Sequence, residues 1–412
     1  MDSAFGVLFT GYPYFLNKFR KQRRDILKIR LLFMKAIAMR GEEAARLFYN
    51  EEKFIRRGAM PKRVQNTLTG SGGVQALDDA AHKQRKEMFM SIMNEASLCK
   101  LEQLFSHHWR ECQKHWEHKK EISLFKETEK VLCRAACDWV GIPLPEEDVM
   151  MRTEQLSALI DSPAALGPRH IKGRFARKKA EAWIIRLVSD IRKGEAAIPE
   201  SSILYRFSLQ REIMGELLDK RIVAVEILNL IRPIVAIARY ITFAALALHE
   251  HPEYSEKLKD NPELQEQFVH EVRRYYPFFP FMAARVRKTF KHRGMKFKKG
   301  RMVLLDIYAT NHHEKTWKDP HKFYPERFSD WDDNIFNFIP RGGGNHDAHH
   351  RCAGEWITIR LTKAALVLLN ENMEYNVPEQ DLTIDMNRIP AIPRSRFRIK
   401  PVALKLDEVL LL

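Results

Sequence analysis

One segment near the end of the chain combines glycines, histidines and a single cysteine in an order that suits metal chemistry. It reads Phe338-Ile-Pro-Arg-Gly-Gly-Gly-Asn-His-Asp-Ala-His-His-Arg-Cys-Ala-Gly354, and residues with helical periodicity follow from Glu355. The loop therefore delivers Cys352 to the start of an amphipathic helix, where the helix dipole and free amides stabilise a thiolate. Such a thiolate is suited to the axial position of haem iron, to which it pushes electron density. Taken alone, a single cysteine is more often a small buried residue.

Two charged segments upstream of the loop favour the metal-ligand interpretation. Glu271 and Arg274 are side by side on a predicted helix. The segment Pro325-Glu-Arg327-Phe328 follows at a distance that would let it add a third charged residue to this pair. By itself such a pair is ordinary surface decoration. In this order, together with the cysteine loop, the segments resemble the cytochrome P-450 superfamily. The resemblance implies haem b with Cys352 as its proximal thiolate ligand, and Glu271, Arg274 and Arg327 as a buried ion network behind the haem.

The resemblance also implies a fold and a narrower family. The fold is mainly α with a minor β component, a single-domain triangular helical prism with small β-sheets. The long loop before Cys352 and its continuation through Glu355 and Trp356 look like the bacterial fatty-acid peroxygenases. Resemblance to these enzymes implies a long-chain free fatty acid as substrate, hydrogen peroxide as co-substrate, and no obligatory reductase. Other segments of the chain also resemble this family, namely residues 61–65, 73–78, 82–90, 167–170, 247–252, 272–278 and 377–382.

An arginine directly before a proline interrupts the most apolar segment of the chain, residues 222–248. Proline lacks the N–H of a helix ladder, so Pro233 predicts a kink beside Arg232. Residues 228–238 contain no acid–threonine pair of the kind that reductase-dependent members use to relay protons. The resemblance implies that Arg232, set by Pro233, holds the substrate carboxylate near the iron, where the carboxylate serves as acid–base group. Oxidation is then expected at Cα or Cβ. A structural ion pair or a snorkelling side chain is the alternative for Arg232.

A second distal position sets the expected product. In the resembled family a histidine there accompanies decarboxylation to terminal alkenes, and a glutamine accompanies mainly hydroxylation. Gln75 has neither the charge nor the proton-donating capacity of an imidazolium. We therefore expect hydroxylation at Cα or Cβ, alongside some decarboxylation.

Haem propionates require cations, and the same resemblance indicates four candidates. A solvent-exposed surface charge is the alternative interpretation for each one. A second metal site in the loop is disfavoured, because its histidines lack a carboxylate partner; these histidines are His346, His349 and His350. The propionate candidates are Arg56, His82, Lys86 and Arg351, of which Arg351 and His82 are the stronger.

The residues of the substrate channel are less well defined. Thr69 and Pro163 stand where close relatives tend to carry phenylalanine, so the preferred chain length stays open. The phenylalanines that follow the predicted helix of Glu271 form an aromatic cluster, and such a cluster most often packs in the core of a protein. The residues expected to contact the substrate or line its channel are Leu68, Phe278, Phe279 and Phe281.

Three other functions stay open. One is a cytochrome P-450 monooxygenase supplied with electrons by a ferredoxin or reductase. Another is a haem- or lipid-binding carrier or sensor without turnover, and a third is a basic nucleic-acid or membrane-surface module. The net charge of +16, from 69 Lys and Arg against 53 Asp and Glu, suits an acidic partner of any of these kinds. No nucleic-acid-binding motif accompanies it, and Arg232-Pro233 over a thiolate haem favours catalysis.

The elements that must position these residues are mostly helices. The 412 residues are 45% hydrophobic, enough for a full core, and helical periodicity dominates residues 15–270. Strands are predicted within 295–305 and 396–404, and we assign residues 1–412 to one domain. The basic runs 18–30 and 169–192 are predicted to be solvated helix faces.

The compartment follows from cysteine usage and from the N-terminal segment. Five cysteines, an odd number without paired metal spacing, indicate reduced thiols. The apolar residues 4–16 are interrupted by Gly11 and Pro13, so they predict neither a signal peptide nor a transmembrane anchor. We therefore expect a soluble cytoplasmic protein, and the family resemblance implies a bacterial origin.

Overall fold

Helices make up the body of the protein in this computed structural model, which describes residues 2–404. Most of them bury one apolar face, and the central ones are buried all round. The helices are α1 (Ser3–Thr10), α2 (Pro13–Gln22), α3 (Glu42–Phe48), α4 (Lys62–Leu68), α5 (Asp79–Met90), α6 (Glu95–Trp116), α7 (Leu124–Val140), α8 (Glu146–Asp161), α9 (Pro168–Lys193), α10 (Ile203–Ser208), α11 (Lys220–Val235), α12 (Ala238–Glu250), α13 (Glu253–Lys257), α14 (Pro262–Tyr275), α15 (Ile307–Asn311) and α16 (Glu355–Glu371).

Short strands form three small sheets beside the helices. The strands are β1 (Ile26–Leu31), β2 (Met34–Met39), β3 (Phe54–Ile55), β4 (Ile122–Ser123), β5 (Phe281–Val286), β6 (Phe290–His292), β7 (Met295–Phe297), β8 (Met302–Asp306), β9 (Met373–Asn376) and β10 (Arg398–Leu404). The largest sheet has the order β1-β2-β8-β5-β3, in which β2 and β8 run parallel and the other neighbours run antiparallel. A second sheet has the order β4-β10-β9, and β6 pairs with β7 in a hairpin.

A mainly helical protein with small sheets is confirmed, as are the strands predicted within 295–305 and near the C-terminal end. The prediction of helix was wrong for residues 26–39, which form the hairpin of β1 and β2. Leu27 and Ile29 of β1 are buried while Lys28 and Arg30 are exposed, a period of two that the basic run concealed. The assignment of 1–412 to one domain stays a prediction.

The apolar segment 222–248 is buried, as predicted, but it forms two helices, α11 and α12. Pro233 has no N–H for the carbonyl of residue 229, four positions earlier. After it the chain passes through a tighter turn, where the Arg239 N–H donates to the carbonyl of Ala236 at 3.2 Å. α7 packs against both helices, and α16 packs against α12. The proline thus lies in the last turn of α11, in the interior of the protein and directly after Arg232, and the helix ends at Val235.

The second basic run lies on α9, and its predicted solvated face is wrong for one residue. Arg177 is buried and donates to the carbonyls of Leu68 and Thr69 at 3.2 and 3.4 Å. It therefore joins α9 to the end of α4. No helix within residues 2–404 is long and apolar enough to cross a membrane.

Candidate active site

Glycines and backbone hydrogen bonds hold the cysteine loop. Gly342 adopts a left-handed φ of 95°, which favours glycine. At Gly343 a Cβ atom would lie 2.7 Å from the carbonyl oxygen of Ile335, so a side chain there would displace the loop. The Cys352 N–H donates to the carbonyl of Arg341 at 3.2 Å, and α16 begins three residues later. The half-buried thiol is therefore placed at the N-terminal end of a helix, as the sequence predicted.

Glu355 braces the loop from the interior. Its carboxylate accepts from the Nε of Arg351 at 2.6 Å and from the Nε2 of His346 at 3.1 Å, and it pairs with Arg273. Burial alone would raise the pKa of Glu355, but Arg273, His346 and Arg351 hold it well below its usual range. Arg351 also donates to the carbonyl of Gly344 at 3.3 Å. The structure thus places Arg351, predicted at a propionate, against Glu355 and the loop backbone.

The three residues predicted to form an ion network are in contact. Arg274 donates from Nε and Nη2 to the two oxygens of Glu271, each at 2.7 Å. Arg327 approaches the same carboxylate at 3.2 Å, and the N–H of Tyr324 donates to it at 2.9 Å. Arg274 also donates to the carbonyl of Pro320 at 2.9 Å. The network therefore ties α14 to the segment that precedes the cysteine loop.

Replacing Glu271 with glutamine is expected to lower the free energy of unfolding by about 3–5 kcal/mol, because it leaves the buried charge of Arg274 uncompensated. Urea denaturation of the haem-loaded protein measures the change. The matched control is Glu266→Gln on the same helix, whose side chain is 52% exposed and makes 3.9 Å contacts with His270 and Lys363. A loss for Glu271→Gln no larger than that of the control would contradict a structural role for the network.

Three arginines with free N–H groups surround the interior face of the loop. The Nε of Arg56, the Nε of Arg232, and the Nε and Nη2 of Arg341 are buried without hydrogen-bond partners. The charge of Cys352 acts on the pKa of Arg232, which places the thiol and this guanidinium in the same interior region. Buried donors without partners are unfavourable unless a ligand satisfies them. The set fits a group that carries carboxylates and takes a thiolate ligand, as haem does.

The other two predicted propionate residues lie on α5, against the loop. His82 is buried and stacks on His350 at 3.8 Å, and burial, assisted by Lys86, lowers the pKa of His82 to about 4. Lys86 donates to the carbonyls of Arg351 and His349, and burial lowers its pKa to about 8. His82 is therefore a neutral ring near neutral pH. Lys86 holds the loop backbone. Of the four predicted propionate residues, Arg56 is the one whose Nε is buried without a hydrogen-bond partner.

On the distal side, Arg232 is buried in α11 with an amide as its neighbour. Its Nη2 donates to the Oδ1 of Asn229 at 3.2 Å, and the Nδ2 of Asn229 donates to the Oε1 of Gln75 at 3.2 Å. Burial, assisted by Arg177 and Arg341, lowers the pKa of Arg232 to about 9. No acidic side chain within residues 2–404 forms an ion pair with Arg232. The structural ion pair considered as the alternative for Arg232 is therefore absent from the described chain.

The predicted channel residues separate into two groups. Leu68 is buried, and half-buried Phe279 makes an edge contact with Phe278 at 4.6 Å. Phe278 in turn packs on Tyr240 of α12 at 4.9 Å. Phe281 contacts Phe15 at 5.3 Å in the core between α2 and the large sheet, and its channel role stays a prediction. The strand alternation of β5 sends its side chain to that core. Thr69 and Pro163 are both buried.

The loop histidines face different partners. His346 bonds to Glu355, the Nδ1 of His349 accepts from the N–H of Asn345 at 2.8 Å, and His350 stacks on His82. In the part of the chain that the structure describes, no group of three or more histidine, cysteine or acidic residues is arranged to hold a metal ion.

Five residues of the site were not identified from the sequence. Glu226 and Asn229 left a signal, because a charged or amide side chain inside an apolar segment needs a partner. Arg341 stands in the cysteine loop but has no spacing that singles it out. The i, i+3 spacing of Glu226, Asn229 and Arg232 also places them on one face of α11. Arg177 and Arg273 left none, because each stands among other basic residues. The five are Arg177, Glu226, Asn229, Arg273 and Arg341.

Comparison with known proteins gives local and global matches. A family model described as cytochrome P-450 matches residues 244–400. Among curated proteins, cytochrome P-450 3A15 of Cavia porcellus is 31% identical over 116 residues, 27% of this chain and 22% of its own length. Corytuberine synthase of Coptis japonica is 30% identical over 129 residues, 30% of this chain and 26% of its own length. The matched segments thus span only about a quarter of these curated relatives.

Solved structures match almost the whole chain. Cytochrome P-450SP alpha (CYP152B1) in complex with (R)-ibuprophen has a TM-score of 0.95 and 42% identity, covering 97% of this chain and 98% of that one. Wild-type cytochrome P-450EX alpha (CYP152N1) with myristic acid has a TM-score of 0.94 and 42% identity, covering 97% and 96%. A variant of cytochrome P-450 OleT in complex with arachidonic acid has a TM-score of 0.96 and 34% identity, covering 99% and 98%.

Proposed function

The chain belongs to the cytochrome P-450 family, and we propose that it is a peroxygenase that uses hydrogen peroxide to hydroxylate free fatty acids at Cα or Cβ. The family binds haem through a cysteine thiolate, and the surroundings of Cys352 suit that ligand. One observation carries the proposal: Arg232 is a buried cation with a free Nε and no acidic partner within residues 2–404. The relatives solved with myristic and arachidonic acid support the substrate class.

The side chains of the site each have a defined task in this proposal. When bound, haem supplies the iron at which peroxide oxygen is activated for insertion into a C–H bond. Cys352 would ligate it, and Arg56 and Arg341 offer free donors to its carboxylates. Arg232 binds the substrate carboxylate by charge-assisted hydrogen bonds, which offset the burial that lowers the pKa of Arg232. The carboxylate oxygen so held accepts and returns the proton of peroxide, in place of an acid–threonine pair. Leu68 and Phe279 exclude water from the acyl chain.

The test is to mix the purified haem protein with a saturated long-chain fatty acid and hydrogen peroxide, without any reductase. Hydroxy acids are expected as products, and the fatty alcohol of equal length is expected to stay unoxidised because it lacks the carboxylate. Oxidation only after addition of a ferredoxin or reductase would instead establish the monooxygenase alternative. Binding without oxidation under either condition would indicate a carrier or sensor.

Replacing Gln75 with histidine is expected to raise the fraction of one-carbon-shorter terminal alkene among the products. In the native chain Gln75 is half-buried and bonded to Asn229, and its amide cannot donate a proton as an imidazolium does. Gas chromatography of products from a saturated acid measures the ratio, and an unchanged haem spectrum is the control. Alkene as the main product of the wild-type protein would contradict the hydroxylase assignment.

A further inference from the structure

A chain of buried hydrogen bonds runs along one face of α11 and ends at Arg232. Glu226 is fully buried and accepts at Oε1 from the N–H of Val74 at 2.8 Å and from Arg85 at 3.0 Å. Its Oε2 accepts from the Nδ2 of Asn229 at 3.1 Å, and the Oδ1 of Asn229 accepts from Arg232. The proposed reaction assigns no task to Glu226 or Asn229.

These contacts leave the Asn229 amide one orientation. Both acceptors near its nitrogen, the Oε2 of Glu226 and the Oε1 of Gln75, require donors, so the amide N–H groups must face them. The amide oxygen is thereby directed at Arg232. The turn that carries Gln75 also packs closely against Asn229, because a Cβ on Gly73 would lie 2.9 Å from the Asn229 side-chain nitrogen.

Resting on the proposed function, we propose that Glu226 and Asn229 are positioning residues that together set Arg232 and Gln75 for the substrate carboxylate. One carboxylate holds the backbone of the Gln75 turn through Val74, and it also fixes the amide that holds Arg232. The guanidinium is thus fixed at Nη2, and its Nε stays free for substrate. Arg85 supplies the compensating charge for Glu226, and its other terminal nitrogen reaches Glu212, which is 40% exposed.

A double-mutant cycle on fatty-acid binding tests this assignment. Calorimetry on the haem-loaded protein would give Kd for a fatty acid and for the alcohol of equal length, in Asn229→Leu, Arg232→Leu and the double variant. Asn229→Leu is expected to weaken acid binding about tenfold. Alcohol binding should change little. In the Arg232→Leu background the Asn229 substitution should have no further effect, because it acts only through Arg232.

Two further variants make the cycle decisive. Glu226→Gln should weaken acid binding as Asn229→Leu does. The new amide N–H at position 226 faces the Asn229 side chain, so the Asn229 amide rotates and directs its own N–H at Arg232. The control is Glu212→Gln, at the surface end of Arg85, which should bind acid as the wild type does. Additive effects of the Asn229 and Arg232 substitutions, or equal losses for acid and alcohol, would overturn the positioning role. Unchanged acid binding in Arg232→Leu would overturn the proposed function itself, a separate outcome.

A different region shows large apolar side chains at the surface. The apolar tip consists of one end of the α1 helix and the turn between β1 and β2. The carboxylate of Asp2 joins the two parts by accepting from the N–H of Ala4 at 2.8 Å and of Leu32 at 3.0 Å. The rings of Phe5 and Phe33 lie 6.4 Å apart. Its members and their exposures are Phe5 48%, Leu8 44%, Phe9 73%, Leu32 54%, Phe33 76% and Met34 48%.

The side chains of the turn residues are largely exposed although their backbone is strained. Leu32 and Phe33 adopt left-handed φ values of 51° and 62°, where a two-residue hairpin turn favours asparagine and glycine. Large exposed apolar side chains at such positions add strain without burial. Beside them, Lys28, Arg30 and Lys35 are exposed, with Arg30 opposite Lys35, and none of these cations has an ion-pair partner among residues 2–404.

We infer that the apolar tip docks this protein on an anionic lipid bilayer, with aromatic side chains in the interface and the three cations at the headgroups. Apolar residues flanked by unpaired cations match the two signals that such binding requires. The charge complementarity distinguishes this occupant from a second copy of the chain, which would bring the same cations together.

Cosedimentation of the haem-loaded protein with phosphatidylcholine vesicles, with and without phosphatidylglycerol, tests this surface. Binding to the anionic vesicles is expected, and Phe9→Glu with Phe33→Glu should lower the partition coefficient at least about tenfold. The matched control is Met214→Glu, at a side chain 87% exposed outside the tip, which should bind as wild type. Equal binding to both vesicle types, no binding, or a dimer that the double substitution dissociates would each overturn the inference.

Discussion

Replacing Arg232 with leucine is expected to lower kcat/KM for peroxide-driven fatty-acid oxidation by about 10²–10⁴-fold, because the substrate carboxylate then loses its place as acid–base group. The loss of a charge-assisted partner in a buried site should also weaken acid binding by about tenfold to a hundredfold. Product analysis and titration of the haem-loaded protein measure the two effects separately. Thiolate ligation should be retained, since Cys352 and its loop are unchanged and Arg232 hydrogen-bonds to Asn229.

Two controls test whether the carboxylate itself is responsible. Arg232→Lys keeps a charge but loses the planar fork, so an intermediate activity is expected. In the wild-type protein, a short carboxylic acid added with a non-acidic substrate should permit oxidation of that substrate. Failure of every short acid to do so would count against carboxylate assistance, even if Arg232→Leu were inactive.

Replacing Cys352 with alanine is expected to abolish both thiolate ligation and oxidation activity. The half-buried thiol stands at the N-terminal end of α16, held by the hydrogen bond from its N–H to Arg341. Alanine keeps that backbone geometry, so the protein should fold but should lack the red-shifted Soret band of the ferrous–CO complex that a thiolate produces. Absorbance spectroscopy with CO measures this directly.

The matched control for the thiolate is Cys99→Ala, a half-buried cysteine on α6. Its spectrum and activity should equal those of the wild type. Retention of the red-shifted band in Cys352→Ala would refute the ligand assignment, because the remaining cysteines have no comparable loop.

Local patterns predicted the helices and the cysteine loop, whereas pairing between distant segments escaped them. The periodicity of α7 and α14 is contained in contiguous residues, so the side-chain spacing indicates it. The hairpin of β1 and β2 was missed because basic residues fill its exposed alternate positions. In the site, only the fold shows that Arg351 donates to Glu355 and that Phe281 contacts Phe15, because both partners are brought to them by tertiary packing.

The sequence by itself determined the glycine-rich cysteine loop and the break in the distal helix. A glycine-rich loop before a helix and a proline after an arginine act through backbone geometry, which contiguous residues specify. Only the tertiary structure decided which cations are free. Arg273, Arg274 and Arg351 are neutralised by carboxylates, whereas Arg56, Arg232 and Arg341 combine buried N–H groups without partners with no ion pair among residues 2–404. Whether an arginine binds a ligand depends on carboxylates brought to it by folding, and burial makes that difference large.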